Sequence, residues 1–204
     1  AASDVYKRQG YVTGTFDGLK KILSGSDTEY TSAVDISTSA LMDSNYNAYL
    51  DELDGFISKL AEKPDILLMN NELLTKTRAA ARRAGFYERS VDGFGRTVEK
   101  YNGIPMMDVG QYYNGTKTVD VIETTTPSAT AYGETAIYAA KLGLNAFHGI
   151  SVDGSKMVHT YLPDLNAPGA VKKGEVEMLA GAVLKNSKMA GVLKGIKVKP
   201  KTAG

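Results

Sequence analysis

The two histidines, His148 and His159, are the residues best suited to metal ligation or general-base work at neutral pH. Either task needs convergence: two or three further ligands for a metal, or an orienting partner for a base. The chain has no cysteine, and neither histidine has a cluster of carboxylates beside it in sequence. Both are expected to be structural members of β segments. Asp51, Glu52 and Asp54 are the next candidates; at helical spacing 51 and 54 share a face while 52 points away, which reads as a solvated helix face rather than a catalytic pair.

Gly93-Phe94-Gly95 has the look of a phosphate loop, but a dinucleotide fingerprint needs a strand before it and a helix directly after, and Arg96 to Lys100 reads as extended. The sequence holds no Walker-type phosphate loop, no Gly-x-Ser-x-Gly elbow, no His-Glu-x-x-His zinc motif and no calcium loop. Asn114-Gly115-Thr116 meets the glycosylation pattern, which matters only in a secretory pathway that nothing in the sequence indicates. Two basic groups remain. Lys76, Arg78, Arg82 and Arg83 fall on one helix and suit solvent or subunit contact; Lys185, Lys188, Lys194, Lys197, Lys199 and Lys201 read as a solvated basic tail, the better candidate for meeting an anionic polymer. No residue is given a catalytic, cofactor-binding or metal-binding role, no cofactor is expected, and the chain is read as a non-enzyme.

The elements behind these residues follow from periodicity. Residues 41–60 place Tyr46, Tyr49, Leu50, Leu53, Phe56, Ile57 and Leu60 at steps of three and four, one apolar stripe of a helix. Asp43 or Ser44 would cap it, and Lys59 would suit its C-terminal pole. Ile66-Leu67-Leu68-Met69 is a four-residue apolar run between Pro64-Asp65 and Asn70-Asn71, read as a strand buried on both faces. Asn70 caps a helix over 72–84, with Arg82 and Arg83 in its last turn and Gly85 as its stop. Residues 86–100 read as a hairpin or extended loop and 104–109 as a strand beginning near Pro105. Residues 111–121 read as turn-rich, and 119–123 as a short strand. Residues 134–144 lean to strand. Residues 147–152, a turn at Val152-Asp153-Gly154-Ser155, and 156–162 read as strand, turn, strand. Residues 175–184 are apolar but ambiguous between helix and strand. Before all of these, Phe16, Leu19, Ile22 and Leu23 suggest a short amphipathic piece, and Ala33-Val34-Asp35-Ile36 a brief strand.

An apolar content of 43% with 23% charge suits a chain that buries a core, and a formal charge of +1 gives no overall bias toward nucleic acid or membrane. The absence of cysteine fits a reducing compartment. No apolar run reaches the length of a membrane helix. Twelve tyrosines and seven methionines lean toward protein contacts and assembly. AASDVYKRQ at 1–9 reads as translated sequencing adapter, so residues 10–204 are treated as a fragment lacking its natural N-terminus.

The order LDELDGFI, PDILLMNNELLTKTRAAAR, a charged loop with DGFGR, then YNGIPMMDVG, TAIYAAKLG and EVEMLAGAVLKNSKMAGVLKGI resembles the major capsid proteins of tailed bacteriophages, whose fold is shared with encapsulin shells. The resemblance implies an α+β capsid fold: an axial domain with a central sheet flanked by helices, here 43–130, and peripheral-domain segments at 10–42 and 131–204. The family's N-terminal arm, hairpin loop and spine helix are not found in this sequence. The implied function is that of a structural protein assembling with itself, as pentamers and hexamers, into an icosahedral virion shell around double-stranded DNA. Implied partners are a scaffold protein, a portal and non-specifically contacted DNA, with no membrane; the setting is the virion, and the host cytoplasm during assembly. The alternatives are an encapsulin-like compartment shell and a small α/β enzyme or ligand-binding domain using a pocket at the Asn70 helix terminus. The loop 86–100 is suspected as a subunit contact.

Overall fold

The computed structural model describes residues 18–85, 88–91, 97–151, 158–163 and 169–202. The adapter-like residues 1–9, Phe16, the Gly93-Phe94-Gly95 loop, the Val152 to Ser155 turn and residues 164–168 lie outside them.

The centre of the fold is β2 (Ile66–Met69), the apolar run picked out by sequence. It lies fourth in a seven-stranded mixed sheet. On one side it pairs in parallel with β5 (Ile104–Asp108), which continues to β4 (Thr97–Tyr101) and the edge strand β3 (Glu88–Val91). On the other side it pairs antiparallel with β8 (Gly133–Ala140), then β13 (Ala190–Lys199) and the edge strand β1 (Glu29–Thr31). Strands from 10–42 and 131–204 thus hydrogen-bond into one sheet with strands from 43–130.

Alternation sorts the side chains between two layers. Leu67, Met69, Ile137, Ala139, Leu193, Ile196 and Val198 face a core shared with α2 (Ser39–Ser58) and α3 (Asn71–Ala84). Tyr138, Ala140, Ala190 and Val192 face a second core closed by Val121, Ile122 and the short α1 (Leu19–Leu23). Ile66 and Leu68 pack on this second core but are only half-buried, so β2 is sealed more tightly on its helix side. On β13 the inward residues step by three, from Leu193 to Ile196. A register shift there, at Gly195 with φ 76°, adds the residue that keeps both on the helix side.

The long helix starts earlier than its stripe suggests. Thr38, not Asp43 or Ser44, caps α2, its Oγ1 accepting from the Leu41 amide at 3.2 Å. Lys59 stands at the C-cap, but its ammonium lies 4.3 Å from the Tyr30 ring centre. Replacing Thr38 with alanine is expected to cost about 1 kcal/mol, the usual worth of a Ser/Thr cap, read as a lower urea midpoint with unchanged slope. Helix α3 follows expectation closely: Asn70 Oδ1 accepts from the Leu73 amide at 2.9 Å, and Gly85 ends the helix at φ 81°.

Four strand readings change. The 33–36 strand is instead β1 at Glu29–Thr31, with Asp35 making only an isolated bridge to Lys197. The turn-rich 111–121 stretch is a hairpin, β6 (Gln111–Tyr113) against β7 (Thr118–Asp120), whose turn is held by Asn114 Oδ1 accepting from the Thr116 and Lys117 amides. Residues 190–199, read as the root of a basic tail, are an internal strand. The 147–162 region does not fold on itself: β9 (Phe147–Ser151) pairs with β12 (Ala180–Leu184), and β10 (Val158–Tyr161) with β11 (Glu175–Met178).

Candidate assembly surface

Among the described residues the side chains capable of chemistry do not converge. His148, in β9, sits opposite Val183, with Nδ1 3.4 Å from the Ala146 carbonyl oxygen; His159, in β10, sits opposite Glu177. Among the described residues no group of three or more His, Cys, Asp or Glu side chains is placed to hold a metal ion.

The charged groups expected to be solvated are in good part structural. Glu52 accepts from Ser32 Oγ and from the Ala33 amide, fixing the segment after β1 to α2. Asp54 accepts from the Tyr101 hydroxyl at 2.9 Å; burial, then this carboxylate, push the Tyr101 phenol upward, so it stays a neutral donor. Arg78 pairs with Glu99 at 2.9 Å, Arg83 with Asp43, and Lys76 Nζ donates to the Ser37 carbonyl at 2.8 Å. Lys76 is held below the usual lysine range, chiefly by desolvation. Lys194 pairs with Glu29 at 2.8 Å and Lys199 with Glu72 at 3.1 Å, while Lys197 and Lys201 each lie 5.0 Å from the Tyr132 ring centre. These lysines fasten β13 to its neighbours and do not form a free tail.

Nor does the α3 terminus offer an anion pocket. Asn70 is 1% exposed, and its Nδ2 lies within 3.0 Å of the Ile122 carbonyl, 2.9 Å of Thr124 Oγ1 and 3.1 Å of Thr135 Oγ1. Thr124 also donates toward the Glu72 carboxylate at 3.4 Å. The end of the helix is therefore closed by its own chain, with Glu72 beside it paired to Lys199.

What stands out is an apolar surface. Strands β9 to β12 make two two-stranded sheets outside the main sheet, β9 with β12 and β10 with β11, the first rooted by Phe147 and Leu184 on the second core. Beyond the root, Ile150, Val158, Tyr161, Leu162, Val176, Met178 and Leu179 are exposed. The sequence carried a sign of this in Glu175-Val176-Glu177-Met178, polar and apolar by turns, which fits a strand with one greasy face. The tyrosines divide differently from expectation: Tyr49, Tyr101 and Tyr138 are core residues, while Tyr113 and Tyr161 are exposed.

The arrangement of sheet and helices matches a solved structure, the holo-SrpI encapsulin complex from Synechococcus elongatus, with a TM-score of 0.59 over 87% of this chain at 13% identity. The chain shares the fold of that encapsulin chain. That shared fold agrees with the α+β class and the helix-flanked central sheet that the sequence suggested. The chain spans 56% of the length of that encapsulin chain. No protein-family model matches the sequence, and no curated protein matches it. Among the described residues no helix is long and apolar enough to cross a membrane.

Proposed function

We propose that this chain is part of a structural subunit that assembles with copies of itself into a closed protein shell, and that it does no chemistry. The observation that carries this reading is the shell-protein fold over 87% of the chain. The dispersal of its histidines and the internal use of its charged residues agree with it. Such a subunit works through shape and interface, and a mostly self-satisfied polar network leaves its surface free for packing.

Within that class, the order of motifs along the sequence favours the major capsid protein of a tailed phage or prophage, arranged as pentamers and hexamers around double-stranded DNA held by non-specific contacts. Scaffold and portal proteins are the further partners, and the virion is the site of action. On this reading 43–130 is the axial part and 10–42 with 131–204 the peripheral part, the two sharing the central sheet. The encapsulin compartment is the second reading, favoured by the identity of the matched structure.

The test is expression of the gene carrying this sequence in full, followed by electron microscopy of the purified product. Closed shells are expected. Shells that copurify with a cargo enzyme rather than nucleic acid select the compartment; a folded monomer across salt conditions and with scaffold present overturns both readings.

A further inference from the structure

Tyr-Asn-Gly occurs twice in the chain, at Tyr101-Asn102-Gly103 and Tyr113-Asn114-Gly115, and these are its two Asn-Gly pairs. An asparagine followed by glycine is the one most open to attack from its own backbone, because glycine sets no side chain beside its amide nitrogen. That nitrogen bonds to the asparagine Cγ, the carboxamide C–N bond breaks, and ammonia leaves carrying the proton that the backbone amide gives up. The succinimide ring so formed takes up water at either carbonyl. It opens to aspartate or to isoaspartate, in which the main chain runs through the former side chain. Nothing is oxidised or reduced. Both asparagines are exposed and both follow tyrosine, so neither access to water nor the preceding residue separates them.

The fold does. Asn102 and Gly103, at φ 49° and 73°, make the turn between β4 and β5, and the residues on either side, Tyr101 and Ile104, are buried and paired with each other in the central sheet. Ring closure requires rotation about the asparagine Cα–C bond until the next nitrogen faces Cγ. At Asn102 that rotation carries the backbone carbonyl oxygen away from Lys63 Nζ, which donates to it at 2.6 Å, and strains a ladder that ends in core residues.

At Asn114 the surroundings favour the reaction. The β6–β7 hairpin is a two-stranded sheet outside the main one, and residues 114–116 at its tip belong to neither core. A Cβ added to Gly115 would meet nothing within 4 Å. Asn114 Oδ1 accepts from the Thr116 amide at 3.0 Å and from the Lys117 amide at 2.9 Å. Oδ1 is the atom on which negative charge gathers as nitrogen adds to Cγ, so two backbone donors already in place serve that step as an oxyanion hole. We propose that Asn114 is a site of spontaneous self-modification, passing through a succinimide to isoaspartate and aspartate, and that the fold protects Asn102 from the same change. The product adds a negative charge at the hairpin tip and leaves both cores as they were. The inference stands apart from the shell-subunit reading.

Trypsin releases both sites in one peptide, Tyr101–Lys117, so a single digest reads them against each other. The 204-residue chain is aged in mildly alkaline buffer, with and without guanidinium chloride, and fragment ions of that peptide locate the deamidated residue and distinguish isoaspartate from aspartate. In the folded chain, Asn114 is expected to react at least about tenfold faster than Asn102, a smaller factor than the roughly 10²–10³ that one donor is worth in an enzyme's oxyanion hole. In guanidinium chloride, with the fold gone, the ratio is expected to fall toward one. Asn114→Gln, which would have to close a larger ring, is expected to abolish the change at 114 and leave the rate at Asn102 unaltered. Equal rates in the folded chain, or faster loss at Asn102, would overturn the proposal. So would a ratio that survives unfolding, because the preference would then belong to the residues that follow each glycine and not to the hairpin.

Discussion

Asn70→Ala is expected to lower stability by about 3 kcal/mol, seen as a fall in the urea midpoint with the slope preserved. One part is the cap: the Leu73 amide loses its acceptor, worth about 1 kcal/mol. The larger part is what the amide group leaves behind. Its Nδ2 is the donor to the Ile122 carbonyl and lies beside Thr124 and Thr135, all at the buried junction of β2, α3, β8 and the 121–125 segment. A buried acceptor stripped of its donor costs about 1–3 kcal/mol. Asn70→Asp separates the two contributions. Aspartate keeps the acceptor for Leu73 and is favoured by a helix N-terminus, but it has no donor, aims a carboxylate at the Ile122 carbonyl, and adds charge near Glu72. It is expected to be no more stable than Asn70→Ala. An aspartate variant as stable as the parent would mean that Asn70 acts as a cap alone.

That junction also shows what was legible in the sequence. β2, the Asn70 cap, α3 and its Gly85 stop were readable because each is specified by neighbours within a few positions. What the Asn70 amide holds was not, since Ile122 and Thr135 lie 52 and 65 residues away. The same distance hid the role of the lysines. Lys194 finds Glu29 across 165 residues, so a strand with alternating Lys197, Val198 and Lys199 read as a basic tail. The bulge at Gly195 broke the alternation that would have announced a strand. The pairing of β9 to β12 was hidden for a topological reason. Strands β9 and β10 look like a hairpin in sequence, yet each pairs with a later strand, and no local signal sets that register. The exposed apolar side chains of β9 to β12 were not read from the sequence either.

Phe56→Ala is expected to cost about 3–5 kcal/mol, the range for emptying an aromatic site in a packed core. Phe56 is 2% exposed, meets Tyr30 edge-on at 5.8 Å, and ties α2 to the β1 and β13 side of the sheet. Its packing depends on a missing side chain opposite. At Gly191 an added Cβ would stand 2.9 Å from Leu60 Cδ2, 3.0 Å from Phe56 Cε2 and 3.1 Å from the Thr28 carbonyl oxygen. Gly191→Ala is therefore expected to cost about 1–3 kcal/mol by overpacking. The two changes compete for one volume, so they should not add. In the Phe56→Ala background the new methyl enters vacated space, and the double variant is expected to be less destabilised than the summed singles by about 1 kcal/mol, read from a double-mutant cycle of urea midpoints. Relief stays partial, because the Thr28 carbonyl is backbone, held by the Val192 amide at 3.0 Å, and cannot swing away as a ring can. Additivity within about 0.5 kcal/mol would mean that the Leu60 and Thr28 contacts, and not the ring, set the need for glycine at 191.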